Sequence, residues 1–150
     1  MKEVAPMTDK TYLEECGSCH FAYQAGLLPE NSWRKLLDAK ALEDHFGENA
    51  ELDEDPRKHI LTLLVSKSAD KSWYKRSRKI MSSLDKDENP LRITEIPYLK
   101  DKHEEVKEEV VKTSEKVKSL SYCNKCHQRA EMASFDDDTV VIPDHGTWTW

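Results

Sequence analysis

The sequence predicts a mainly α protein with two domains, a helical N-terminal domain over residues 1–68 and a largely irregular C-terminal domain over residues 69–150. Three observations support this prediction. Apolar residues recur at helical spacing, and no segment shows the alternation typical of a strand. Two short cysteine motifs begin far apart, at Cys16 and Cys123, so that each half contains one. Only 37% of the residues are hydrophobic while 35% are charged, which is little material for a conventional core.

The cysteine motifs carry the most specific chemistry. All four cysteines belong to two Cys-x-x-Cys-His motifs, at residues 16–20 and 123–127. In covalent haem attachment two thiols add to the two vinyl groups of haem, and the following histidine binds the iron. We therefore predict two covalently bound haems c. The thioether links would come from Cys16, Cys19, Cys123 and Cys126, and the proximal iron ligands would be His20 and His127.

Two other uses of the cysteines are weaker. A four-thiolate zinc site is disfavoured because the pairs are much farther apart than in a zinc ribbon. A thioredoxin-like motif requires a βαβ setting, and no apolar strand pattern precedes Cys16. Neither alternative explains why a histidine follows both pairs.

The first half predicts a helical haem domain of the small cytochrome c type. We expect a short attachment helix over residues 12–20 and a helix that is capped by Asn31 or Ser32 and ends at Gly47. We expect the next helix to begin with Asp55 as N-cap and Pro56 as its first residue, and to end near residue 68.

The second half contains less regular structure in this prediction. A basic connector helix covers residues 70–84 and a turn-rich link covers 85–97. A charged helix is expected to begin at Asp101, with an apolar stripe formed by His103, Val106, Val110 and Val117. Loops follow the second motif. With so few apolar residues, this domain is expected to be organised around its haem.

The remaining histidines supply candidates for the sixth iron ligands. His45 lies on the helix predicted after the first motif, and His103 lies on the apolar stripe before the second. We predict that His45 is the distal ligand of haem 1 and that His103 is the distal ligand of haem 2. His59 and His145 are expected to be packing or surface residues. Thioether ligands remain possible alternatives, from Met7, Met81 or Met132.

Charge and composition restrict the partners. The net charge of −6 argues against nucleic acid, and no apolar run is long enough to span a membrane. Covalent haem attachment takes place outside the cytoplasmic membrane, so we expect an exported, periplasmic protein whose signal peptide is not part of this chain. We also expect a monomer.

Several longer segments resemble one bacterial family. They are CGSCHFAYQAGLLP at 16–29, Ser-Trp at 32–33, DHFGENA at 44–50, RITEIPY at 92–98, Lys-His at 102–103, and the second motif followed by Ala-Glu at 130–131 and Val-Ile-Pro at 141–143. In these segments the chain resembles the dihaem cytochrome c family known as DHC. One departure is Ala25, where the family pattern has proline.

This resemblance implies a soluble periplasmic electron carrier with a cytochrome c-like first half and an irregular second haem domain. It also implies two histidine ligands for each iron, with His45 and His103 matching the distal positions. The implied partners are a membrane b-type cytochrome or another quinol-linked donor, and a small soluble haem protein as acceptor.

The expected function is therefore single-electron transfer rather than enzymatic catalysis. Two imidazoles leave an iron without an open position and favour a low-spin, low-potential site. The alternative is a small haem enzyme or a gas-binding protein, which would need one open iron. The basic run at 67–79 and the acidic runs at 43–55 and 104–109 are either solvated faces or a docking face for a redox partner.

Overall fold

The computed structural model is mainly α-helical, as predicted, and it describes residues 3–18, 20–104, 106, 119–143 and 146–147. In this part of the chain the helices are α1 (Lys10–Gly17), α2 (Glu30–Leu36), α3 (Ala39–Leu42), α4 (Glu54–Ser66), α5 (Lys75–Ser83) and α6 (Pro97–Lys102). Short 3₁₀ turns lie at Ala25–Leu27, Ala69–Lys71, Ile93–Glu95, Cys123–Lys125, Ala130–Met132 and Asp137–Thr139. Two strands, β1 (Val141–Ile142) and β2 (Gly146–Thr147), pair antiparallel, with Val141 opposite Thr147.

The helix predicted to run to Gly47 is divided in two. It begins at Glu30, after Pro29 as N-cap, rather than at Asn31 or Ser32. It then ends at Leu36, because the carboxylate of Asp38 accepts a hydrogen bond from the backbone N–H of Ala41 at 3.2 Å and so caps the next helix. Such a side chain satisfies an orphan donor of a new helix, so the chain starts α3 instead of continuing α2.

Two other helices also begin earlier in the chain than the sequence predicted. Helix α4 begins at Glu54 with Asp53 as N-cap, so Pro56 lies in its first turn, where its missing N–H costs little. Helix α6 begins at Pro97 and ends at Lys102, whereas the sequence predicted a helix beginning at Asp101. Proline at the first helical position is favourable because its φ angle already suits a helix. Of the predicted stripe, Val110 and Val117 lie outside the described residues.

The hydrophobic core joins the two halves of the chain. Ile60 and Leu64 of α4 are buried together with Ile80 of α5 and Ile96 before α6. Gly26 lies against α5, where the buried Ser77 hydroxyl donates to its carbonyl at 2.7 Å and a Cβ on this glycine would lie 2.6 Å from that hydroxyl. Burial is therefore continuous across residue 68, where the domain boundary remains a prediction.

Membrane insertion finds no support from the helices of the structure. Over the part of the chain that the structure describes, none of them combines the length and apolar character needed to cross a bilayer.

Candidate haem sites

The first motif follows the end of α1. Asp9 caps this helix by accepting a hydrogen bond from the N–H of Tyr12 at 2.9 Å, and the helix carries Cys16, which packs at the edge of the core. Cys19 lies outside the described residues. His20 follows directly, and its Nδ1 lies 2.7 Å from the carbonyl oxygen of Phe21. If Nδ1 donates that hydrogen bond, Nε2 is left as the nitrogen that binds a metal.

His45 lies on a turn after α3, not on a helix as predicted from the sequence. The backbone N–H of His45 donates to the carbonyl of Glu48 at 2.7 Å, and the N–H of Glu48 donates back at 3.1 Å. Gly47 occupies this turn with φ of +92°, so it permits the turn rather than ending a helix. The prediction of a helix at His45 was wrong because α3 already ends at Leu42.

The turn brings His45 near His20. Burial lowers the pKa of His45, and the charges of His20 and Arg92 act in the same direction. Neutral imidazole is the form that binds metals. The first site therefore contains, besides His20, a second and partly buried imidazole.

The second motif forms a single tight turn. The N–H of His127 donates to the carbonyl of Cys123 at 2.8 Å, which brings both cysteines and the histidine to one side of the chain. A short backbone pairing holds the turn from behind, since His127 forms a bridge with Val140 and the N–H of Val141 donates to Cys126 at 2.9 Å.

His103 faces the second motif from the end of α6. Its Nδ1 lies 2.6 Å from the carbonyl of Leu99, one helical turn earlier, which fixes the ring and leaves Nε2 as the nitrogen available to a metal. The ring centroids of His103 and His127 are 6.1 Å apart, and the ring planes meet at 79°. The ring of Phe135 packs on the other side of His127 at 5.2 Å.

A cavity of about 280 Å³ lies between these two histidines. Apolar and aromatic side chains from both halves line most of its wall. Cys123, Cys126, His103 and His127 all reach it, so two thiols and two imidazoles converge on one apolar space. This is the donor set and the surroundings that a covalently bound haem needs.

A more open groove of about 590 Å³ lies beside the first motif. His20 and Phe21 line one side, and Tyr122, Asn124 and Lys125 of the second motif line the other. His45 is not among its lining residues. The two attachment motifs are therefore neighbours in space, although they lie at opposite ends of the sequence.

Burial also affects the cysteine thiols. Burial raises the pKa of the Cys16 thiol to about 11 and that of Cys123 to about 12. A thioredoxin-like pair or a zinc site relies on thiolates, which such burial disfavours. Among the described residues, no cluster of three or more histidine, cysteine and carboxylate side chains could hold a metal ion alone.

The other candidate ligands occupy different environments. His59 lies on the surface of α4, with its Nε2 2.8 Å from the Asp9 carboxylate. His145 lies outside the described residues. Met7 is buried in the core and also lines the groove beside His20, while Met132 is 60% exposed.

One residue next to the first motif had no sequence signal. The Tyr23 hydroxyl donates to the carbonyl of Ser121 at 2.5 Å, and its ring lies 5.2 Å from that of His20. The adjacent Gln24 is buried and donates to the carbonyl of Ala130 at 2.7 Å. These two side chains tie the first motif to the second, and only the tertiary structure brings their acceptors close.

Comparisons with known proteins identify one family. Residues 12–135 match the family described as dihaem cytochrome c. A search of curated proteins found no match.

Solved structures are similar over most of the chain. The dihaem cytochrome c of Shewanella baltica OS155 is 38% identical, with 93% of this chain and 97% of that chain covered and a TM-score of 0.76. The dihaem cytochrome c of Rhodobacter sphaeroides is 41% identical, with coverages of 87% and 98% and a TM-score of 0.75. With two attachment motifs, a cavity that fits haem and these similarities, the chain belongs to the dihaem cytochrome c family and binds two c-type haems covalently.

Proposed function

We propose that this protein carries single electrons through two low-spin haems, each with two histidine ligands. Proteins of the cytochrome c class are in general electron carriers, and bound haem supplies the one-electron chemistry. The proposed ligand pairs are His20 with His45 and His127 with His103. The protein's own task is then to hold four imidazoles in place.

The separation of 6.1 Å between the rings of His103 and His127 carries the proposal. Two imidazoles that share one metal have centroids about 6 Å apart, because each metal–nitrogen bond is about 2 Å and each centroid lies about 1 Å behind its nitrogen. The hydrogen bond between Nδ1 of His103 and the Leu99 carbonyl leaves Nε2 as the nitrogen available to a metal. At the first site, support comes from the position of His45, which is close enough to His20 for their charges to interact.

The ligand set has functional consequences. An iron closed on both sides by imidazoles does not offer a position to substrate, which favours a carrier over an enzyme. Without a thioether ligand, which raises the potential, both sites should also have low reduction potentials. The neighbouring motifs favour electron exchange within the molecule.

Magnetic spectroscopy of the oxidised holoprotein tests the ligand assignment. Electron paramagnetic resonance and near-infrared magnetic circular dichroism should show two low-spin irons with two histidines each. His45→Ala and His103→Ala should each convert one iron to high spin. The matched control, His59→Ala, removes an exposed histidine and should leave both irons unchanged. A high-spin iron or a methionine-ligand signature in the unmodified protein would contradict the proposal.

A small haem enzyme or gas-binding protein remains the alternative function. It requires one iron that is open at rest. Such an iron would react with carbon monoxide as soon as the reduced protein is mixed, at a rate proportional to the gas concentration. An immediate reaction of this kind would favour the alternative.

The proposed location is the bacterial periplasm, because covalent haem attachment takes place outside the cytoplasmic membrane. Cell fractionation after expression of the full gene product tests this location. Covalently bound haem that remained with the cytoplasmic fraction would contradict it.

The proposed partners are a membrane b-type cytochrome or quinol-linked donor and a soluble haem protein as acceptor. One surface suits transient docking to an acidic partner. Trp73 is 82% exposed, and Lys75, Arg78 and Lys79 are exposed next to it along α5. Exposed tryptophan and basic residues are frequent at energetically important interface positions. Electron-transfer rates should fall as salt rises, and Trp73→Ala should lower them further; rates independent of both would exclude this face.

A further inference from the structure

The turn that carries His45 has an unfavourable backbone conformation. Phe46 has φ of +54° and Gly47 has φ of +92°, which together with the paired hydrogen bonds between His45 and Glu48 define a two-residue turn of type I′. Asparagine, aspartate or glycine is usual at the first of these positions. A bulky phenylalanine there is strained, so a contact from elsewhere in the structure must hold it.

Arg92 supplies such a contact. Its guanidinium carbon lies 4.2 Å from the centroid of the Phe46 ring, which is a cation–π distance. The ring of Phe46 meets that of His45 edge to face at 4.8 Å. Arg92 is exposed, and its Nε lies 3.9 Å from the Glu95 carboxylate. A surface side chain from the second half of the protein therefore contacts the turn of the first site.

The two proposed distal ligands are therefore held differently. The His103 ring is fixed by a hydrogen bond of 2.6 Å to the carbonyl of Leu99 in its own helix. Within the part of the chain that the structure describes, the ring of His45 makes no hydrogen bond, and its backbone belongs to the strained turn. A ring–backbone hydrogen bond orients a metal ligand and raises its basicity, so His103 should be retained more firmly.

We infer that the first haem iron is a binding site for a small uncharged diatomic ligand that displaces His45, and that the Arg92–Phe46 contact sets the rate of this displacement. The inference rests on the proposed histidine pairs. It assigns ligand exchange to one iron, keeps the second as a closed electron site, and makes Arg92 a positioning residue for His45.

Carbon monoxide added to the reduced holoprotein in a stopped-flow instrument is the test. One equivalent should bind, at a rate that becomes independent of gas concentration because departure of His45 limits it. Arg92→Ala should raise this limiting rate about two- to fivefold, the factor expected for a cation–π contact at an exposed site. Arg92→Lys should lie between the two, and Glu95→Gln should change the rate less than Arg92→Ala. The matched control Arg78→Ala, also an exposed arginine, should leave the rate unchanged.

The strain is tested separately in a protein that already lacks the arginine. There the substitution Phe46→Asn places a residue that tolerates positive φ in the turn, and it should slow the exchange. A faster or unchanged rate would overturn the role given to strain.

Two ligand variants identify the iron. With His103→Ala, a fast phase from the opened second iron should precede the slow phase, which keeps its rate. With His45→Ala, the fast phase should replace the slow one. A slow phase that survives His45→Ala, an equal rate at both irons, no binding at all, or an Arg92→Ala rate equal to that of the unmodified protein would overturn the inference. Each of these outcomes would contradict the inference without contradicting the proposed histidine pairs. A high-spin or methionine-ligated iron in the unmodified protein would contradict the pairs themselves.

Discussion

The two haem sites differ in where their order comes from. The first follows α1 and α3 and borders the larger part of the hydrophobic core, yet its proposed distal histidine lies on a strained, half-exposed turn. The second is built mostly from 3₁₀ turns and a short strand pair, yet its two imidazoles face each other across an apolar cavity. The amount of regular secondary structure around a site therefore does not indicate how firmly its ligand is held.

What holds the second site is a small number of specific contacts. The Leu99 carbonyl fixes His103, and backbone pairing of the segment around Val140 fixes the motif that contains His127. Each of these contacts satisfies a polar group within an apolar environment, where an unmade hydrogen bond is costly. An irregular segment can thus be rigid where it matters.

The largest expected effect comes from exchanging the distal ligands. His45→Met should raise the potential of one haem, because a thioether stabilises reduced iron, and should leave the other nearly unchanged. The shift should be a sizeable part of the ~0.8 V range that axial ligands span. Redox titration followed by absorbance measures both haems. Movement of both potentials, or of neither, would contradict local pairing; His103→Met should move the other haem.

The next largest effect distinguishes a loss of core packing from a loss of contact with the second haem. Ile80 and Ile60 are both fully buried, but only Ile80 lines the cavity between His103 and His127. Replacing either by alanine should lower the free energy of unfolding by about 2–5 kcal/mol, measured by denaturant titration. Only Ile80→Ala should also change the spectrum of the second haem. Equal spectra for the two variants would mean that the cavity is not the haem site.

A smaller effect concerns the contact between the sites. Tyr23→Phe removes the hydrogen bond to Ser121 and should cost about 1 kcal/mol at neutral pH. Burial is the main reason that the pKa of Tyr23 rises to about 12, above an unfolded value of about 10. The contribution of this hydroxyl is therefore complete below pH ~10 and is lost as pH rises toward 12. Denaturation from pH 8 to 12 should show the variant and the unmodified protein converging; a constant difference would exclude the assignment.

The smallest effect lies at the start of α1. Asp9→Ala removes the cap of the helix that carries Cys16, while Asp53→Ala is the matched control because Asp53 caps α4 without a side-chain hydrogen bond. The N–H of Tyr12 and then His59 lower the pKa of Asp9. Its contribution is thus present above about pH 4 and is lost as pH falls below that value. Thermal unfolding should show Asp9→Ala as the less stable variant at pH 7, with the difference gone in acid.

The sequence predicted the attachment motifs well, because their chemistry is local. The spacing of two thiols and a histidine can be read directly, and it led to two covalent haems and a mainly helical fold. Helix ends were less accurate. The division at Asp38 depends on one side chain that caps a new helix. Capping residues and hydrophobic periodicity in the sequence gave no reason to end the first helix there rather than at Gly47.

His45 illustrates the limit of such prediction. The sequence predicted His45 as a distal ligand on a helix, but the residue lies on a turn, close enough to His20 for their charges to interact. Arg92 and Tyr23 lie in segments that resemble the family, but the sequence did not indicate what they or the Leu99 carbonyl contact. Their partners are distant in the chain or belong to the backbone, and no local pattern encodes either.

The sequence by itself determined the cofactor, its two points of attachment and the helical class, since covalent chemistry and hydrophobic periodicity act over a few residues. Only the tertiary structure decided which imidazoles meet, that the two motifs are neighbours, and that one proposed distal ligand is fixed while the other lies on a strained turn. These properties depend on distances between segments far apart in the chain, and packing of the whole core sets those distances.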